Sequence, residues 1–251
     1  MAHQPLNDLS SDTGILLRTK GDPIALTIAQ TVILVIDMQN DFGTEGGMFE
    51  RAGIDISMIQ KAVPATASVL AAGRKAGIKI IYLKMAFRPD LSDATSPDSP
   101  NRITHTRLDI GTVVHAPDGS ESRILIRDTW NTDIVSELEP QAGDTVIYKH
   151  RFSGFFETDL DAILKAMNVK YLIVTGCTTS VCVESTIRDA MCRDYSCVAL
   201  EDCIGEPGRK SSSRMRHEAS LLLIQRALGW VSTSDAFIRV LKTRPTAAAI
   251  R

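Results

Sequence analysis

Apolar and polar positions along the chain switch between two periods, and the switching predicts strands and helices in alternation. Residues 31–36 form a continuous apolar run rich in β-branched side chains, as expected of a strand buried on both faces. Residues 55–76 carry Ile56, Ile59, Val63, Ala67, Val69 and Leu70 at helical spacing, with a kink or restart expected at Pro64. Gly77 ends that helix, and residues 78–85 form a second strand, so a right-handed parallel crossover joins the two. The alternation resumes with a strand at 144–148, a helix at 157–167 with Thr158 as a possible cap, and a strand at 171–176. Helical spacing then begins at Val181, with Ser180 the best-placed cap. A strand at 196–200, a long helix at 214–228 stopped by Gly229, a brief strand at 230–231 and a short helix at 235–241 complete the series.

The remaining stretches are less regular. Residues 1–29 read as an irregular N-terminal arm and 43–53 as loop. Residues 87–122 hold four prolines and little periodicity, which marks a lid or binding loop. A short strand is expected at 124–126, a short helix at 132–138, and a loose tail at 242–251. The whole of 1–251 reads as one α/β domain.

Composition narrows the function classes. The net charge of −2 argues for neither nucleic acid nor an acidic membrane surface as partner. No apolar run approaches the roughly 18 residues of a membrane span, and the first twenty residues lack a signal-peptide core. Five cysteines without a Cys-x-x-Cys pair argue against a disulfide framework or structural zinc site, so a cytoplasmic protein with free thiols is expected. His105 and His115 read as surface histidines rather than metal ligands, and Arg88 and Arg102 as solvated loop charges.

Asp37, Lys149 and Cys182 each follow a predicted strand, and in a parallel sheet those ends share one edge. Cys182 is expected in the first turn of a helix, where free amides and the helix dipole favour a thiolate. A carboxylate can take the thiol proton and return it to a leaving amine, and a lysine ammonium stabilises both anions. Backbone N–H groups at the Cys182 turn suit an oxyanion. Asp41 is equally readable as a local turn residue. Phe152, Phe155 and Phe156, with Phe42, are expected to wall a small planar pocket. Gln225, beside Leu221, Leu222 and Ile224, needs partners for its amide.

Val-Ile-Asp-Met-Gln-Asn-Asp-Phe at 35–42, Lys149 with Ser153-Gly154-Phe155, and Gly-Cys-Thr-Thr-Ser-Val-Cys-Val at 176–183 together resemble the isochorismatase-like cysteine hydrolases, over about residues 31–231. The resemblance implies a Rossmann-like three-layer sandwich with a six-stranded, mainly parallel sheet of order 3-2-1-4-5-6, and a homodimer or homotetramer. It implies an Asp37–Lys149–Cys182 triad, an oxyanion hole from the amides of Thr178 and Cys182, and a non-proline cis bond at Cys177–Thr178. Cys182 speaks against the vinyl-ether-cleaving branch. Lys84-Met85-Ala86-Phe87-Arg88 lacks the Asp-x-His metal motif of the nicotinamidases, so neither metal nor cofactor is expected.

Within the amidase branch, residues 151–156 and 181–186 resemble the ureidoacrylate amidohydrolases. Residues 88–91 and Gln225 resemble the biuret and triuret hydrolases, in which a glutamine on the last helix addresses the substrate. The implied activity is hydrolysis of a C–N bond in a small ureido compound through a cysteine acyl-enzyme, releasing ammonia or a carbamate. A nicotinamidase-type or N-carbamoyl amino acid amidase is the alternative.

Overall fold

The computed structural model describes residues 14–243. The chain opens with an antiparallel hairpin, β1 (Gly14–Leu17) and β2 (Ile24–Thr27), then enters β3 (Thr31–Ile36). Two short helices, α1 (Asn40–Gly43) and α2 (Met48–Arg51), precede the long α3 (Ser57–Lys75) and β4 (Lys79–Met85). Next come α4 (Pro100–Thr106) and a second small hairpin, β5 (Val113–His115) with β6 (Glu121–Arg123). Then follow β7 (Thr145–Lys149), α5 (Leu160–Ala166), β8 (Tyr171–Cys177), α6 (Glu184–Met191), β9 (Ser196–Gly205), α7 (Lys210–Leu223), β10 (Trp230–Ser232) and α8 (Ser234–Lys242).

Six strands form one parallel sheet in the order β10-β9-β8-β3-β4-β7. Numbered along the chain, this is the expected 3-2-1-4-5-6. All six residues of β3 are buried, because the strand lies at the centre of the sheet with helices on both faces. Its side chains divide by the two-residue period of a strand. Ile33 and Val35 join a core with Ile59, Val69, Leu70 and Phe237 of α3 and α8. Val32, Leu34 and Ile36 join the opposite core with Leu164, Ile187 and Leu221 of α5, α6 and α7. Among the described residues, no helix is long and apolar enough to cross a membrane.

Several local expectations are corrected. Within the arm, residues 14–27 are a hairpin rather than irregular chain, while residues 1–13 lie outside the described residues, as do 244–251 of the expected tail. α3 runs through Pro64 without restarting. Residues 124–126 are not a strand. They turn, and Ile126 makes an isolated bridge to Phe87. Residues 130–138 make two 3-10 turns instead of a helix, because they clasp the chain leaving β3: Ile134 bridges Gln39, and Val135 N–H donates to Met38 O at 2.9 Å. β9 continues past Leu200 to Gly205 through a register shift against β8. The charged pair in that shift finds partners outside the sheet, Glu201 with Lys20 and Asp202 with Ser234.

Candidate active site

Asp37 follows the last residue of β3 and takes a left-handed backbone, φ 53°, which few side chains other than Asp and Asn accept. The turn breaks the strand direction at the carboxyl edge of the sheet. β4 would lose its partner at Met85, but the Gln39 side chain supplies one: Nε2 donates to Met85 O at 3.0 Å, and Oε1 accepts from Met85 N–H at 2.7 Å.

Lys149 is the last residue of β7, in register with Met85. Its side chain crosses the end of β4, and Nζ donates to Asp37 Oδ2 at 2.7 Å and to Arg151 O at 3.2 Å, with Met85 Sδ at 3.7 Å. Exposure is 1% for Asp37, 0% for Lys149 and 6% for Cys182. Burial works against the Lys149 ammonium, yet Asp37 and Cys182 outweigh it and raise its pKa. Burial raises the Asp37 carboxyl, opposed by Lys149 and by a hydrogen bond with Cys182. Lys149 takes Asp37 Oδ2, and the buried Oδ1 has no hydrogen-bond partner among the described residues.

Cys182 lies just beyond β8, as expected, but in a single π-helical turn, Thr179–Val183, that precedes α6. Such turns recur at functional sites. The peptide bond Cys177–Thr178 leading into it is cis, as the resemblance implied. Ser180 is not a cap. Its amide and hydroxyl both donate to the buried Glu206 carboxylate, at 2.9 and 2.8 Å, and Arg216 closes the group from outside at 2.8 Å. Thr186 ties the turn to the loop after β7: its Oγ1 donates to Cys182 O at 2.7 Å and accepts from Gly154 N–H at 3.0 Å. The thiol pKa is raised rather than lowered, first by burial and then by Asp37, with Lys149 opposing. Burial and the Asp37 carboxylate together work against the thiolate here, and the turn's amides face both.

The second thiol, Cys177, donates to Asp37 O at 3.0 Å. Asp41 is a tie-point: it accepts from Met48 N–H at 3.0 Å, from Leu125 N–H at 2.7 Å and from Asn131 Nδ2, while burial raises its pKa to about 7.

Of the three residues expected to contact substrate, the two phenylalanines are packed among other side chains. Phe42 packs edge-on against Phe49, ring centroids 5.1 Å apart. Phe155 is buried in the α5–α6 layer, stacked on Tyr195 at 5.9 Å. Gln225 lines a cleft with Lys20, Lys61, Glu201 and His217. That cleft adjoins the nucleophile turn: His217, which lines it, hydrogen-bonds Thr179 Oγ1 through Nδ1 at 2.8 Å. Phe87 and Phe152 flank His105 at 5.1 and 5.6 Å, and the Lys149 charge bears on that ring. His105 is therefore buried, not a surface residue. Its Nδ1 bonds Asn101 O at 2.7 Å, and burial, with Lys149 and Arg151 adding, lowers its pKa to about 4. The sequence does carry a signal for its helix: Ser99-Pro100 is an N-cap followed by proline at the first helical position, and Ser99 Oγ accepts from Arg102 N–H at 3.1 Å. Among the described residues, no group of three or more His, Cys, Asp or Glu gathers as a metal-ligand set.

Fold and site define an α/β enzyme with a buried carboxylate–lysine–thiol centre at the carboxyl edge of its sheet. Residues 31–236 match the isochorismatase domain, and the chain belongs to the isochorismatase family. A ureidoacrylate amidohydrolase RutB from Methylorubrum extorquens is 36% identical over 223 residues, 89% of this chain and 87% of the relative. RutB from Agrobacterium fabrum is 36% identical over 225 residues, covering 90% and 96%. The crystal structure of a cysteine hydrolase from Pseudomonas syringae pv. phaseolicola aligns with a TM-score of 0.72 at 27% identity, over 92% of this chain and 98% of that one. With relatives of this kind, the chain is an enzyme that hydrolyses carbon–nitrogen bonds other than peptide bonds.

Proposed function

We propose that the protein is a cysteine amidohydrolase of small ureido compounds, with ureidoacrylate as its first substrate candidate. The observation that carries the reading is the sealed Asp37–Lys149 ion pair beside the Cys182 thiol. Relatives at 36% identity named for ureidoacrylate support the substrate.

Asp37 takes the Cys182 proton as sulfur attacks the ureido carbonyl, and Lys149 holds its charge against both anions in turn. The amides of Thr178 and Cys182 receive the oxyanion. The C–N bond breaks as Asp37 returns the proton to the leaving nitrogen. What stays on sulfur is an S-carbamoyl thioester. Water then attacks it and gives one proton to Asp37; the C–S bond breaks, Asp37 returns that proton to sulfur, and carbamic acid leaves, to ionise in solution. No step inside the site changes the total charge of the three side chains and the substrate, which suits a buried centre. The reading includes a homodimer or homotetramer, measurable as native mass.

The test is product release from a panel of ureidoacrylate, biuret, triuret, N-carbamoyl amino acids and nicotinamide, with intact-mass detection of a carbamoyl adduct on Cys182. Turnover of ureidoacrylate with an adduct at Cys182 is expected. Turnover of nicotinamide alone would overturn the substrate assignment, and turnover without any Cys182 adduct under rapid quench would overturn the mechanism.

A further inference from the structure

The first turn of α4 carries a side chain that the proposed mechanism leaves unused. The Oδ1 and Nδ2 atoms of Asn101 are both buried, and neither has a hydrogen-bond partner among the described residues. Native proteins pair nearly all such atoms, because a buried polar group left unpaired has lost its water without compensation. Local structure does not account for it. Ser99, not Asn101, caps the helix, and the bond to His105 uses only the Asn101 backbone carbonyl.

Position gives the amide a direction. His105 lies four residues on, hence on the same face of α4. Its ring packs on Phe87 and on Phe152, at 5.1 and 5.6 Å. Phe87 stands two residues after Met85, whose sulfur touches the Lys149 ammonium, and Phe152 stands three residues after Lys149 itself. Lys149 and Arg151 both bear on the His105 ring, so this face of α4 borders the lysine side of the site, and Asn101 on the same face has both donor and acceptor unspent.

We propose that the Asn101 carboxamide is a specificity-determining contact for the substrate, an inference that rests on the ureido reading above. Oδ1 accepts the ureido N–H, and Nδ2 donates to an oxygen further along the substrate. A planar ureido compound with a carboxylate or carbonyl beyond its N–H offers a donor and an acceptor along one edge. Its reactive carbonyl then points away from Asn101, toward Cys182. The matching class is therefore planar ureido compounds bearing a second oxygen function, and the contact belongs to binding rather than to proton transfer.

The test compares wild type, Asn101→Ala and the isosteric Asn101→Asp on ureidoacrylate and biuret, with melting temperature and the rate of Cys182 alkylation by iodoacetamide as controls. Both variants are expected to raise KM at least tenfold, about 1.4 kcal/mol, with kcat within about threefold and the alkylation rate unchanged. Asn101→Asp keeps the shape and loses the donor, so it answers for Asn101→Ala should the latter fail to fold. A wild type active on a ureido compound, with KM within twofold in the variants, would overturn the Asn101 assignment and leave the functional reading standing. So would a lowered melting temperature with KM unchanged, since the amide would then serve the fold. A wild type inactive on every ureido compound would overturn both.

Discussion

Lys149 Nζ lies 2.7 Å from Asp37 Oδ2, and neither side chain reaches solvent. A pair so placed is held by mutual need more than by net gain: each charge without the other is stranded in the core. Lys149→Met is expected to abolish turnover and to destabilise the fold by about 3–5 kcal/mol. Adding Asp37→Asn should restore most of that stability and none of the activity. Denaturant unfolding of the single and double variants measures it. A double variant no more stable than the single one would show that the stranded charge is not the cause.

The two thiols at the end of β8 should separate cleanly. Cys182→Ser is expected to keep the fold and to lower kcat by roughly a thousandfold or more, since a hydroxyl gives up its proton far less readily than a thiol. Cys177→Ala removes only a weak bond to Asp37 O and should stay within about tenfold of wild type. Alkylation mapped by mass spectrometry should fall on Cys182. Modification confined to Cys177 with activity lost would reverse the assignment.

Acid should loosen the wall around His105. The folded pKa, about 4, lies below the ordinary 6.5, so the unfolded chain binds this proton first. The stabilising contribution is complete above pH 6.5 and is lost as pH falls toward 4, a change of up to about 3 kcal/mol. His105→Gln should flatten stability against pH across that window. A slope equal to wild type would place the titrating group elsewhere.

Gln225→Ala is expected to leave KM for any ureido substrate within about twofold, because it shares its cleft with Lys20, Lys61 and Glu201 rather than with the Asp37–Lys149–Cys182 set. Steady-state kinetics of this variant beside Asn101→Ala distinguishes the two amides directly. A tenfold rise in KM for Gln225→Ala alone would restore the glutamine to the substrate.

What was legible in the sequence follows from how strongly each residue's surroundings are set by its neighbours in the chain. β3 and β8, and with them the ends at Asp37 and Cys182, are plain, since a strand buried on both faces writes an unbroken apolar run, whereas the edge strand before Lys149 is shorter and half-buried. The sheet order came from the resemblance, because six similar strands do not state their neighbours. β9 was cut short at Leu200, since Glu201 and Asp202 break the apolar run although Lys20 and Ser234 answer them from distant segments. The clasp at 130–138 was misread for the same reason: its partners are Met38 and Gln39, nearly a hundred residues away. The thiol's titration went the other way from the local expectation. Helix-start amides are visible in a sequence, whereas the burial and the carboxylate that raise it are tertiary.

Gly176 shows a constraint of the same kind that a sequence does hint at. Its φ of +122° and its closeness to the Ile36 carbonyl leave no room for a side chain between β8 and β3.

Gln39 has the wider implication. Its amide copies a peptide unit, offering Met85 one donor and one acceptor where the neighbouring strand has already turned away. The sheet is in effect spliced one rung beyond its covalent end, and the chain carrying Asp37 is free to bend without leaving Met85 unpaired. The reactive carboxylate can therefore take its left-handed turn without opening the sheet margin, provided that a primary amide stays at position 39. Glutamate there would set an acceptor against the Met85 carbonyl and undo the splice.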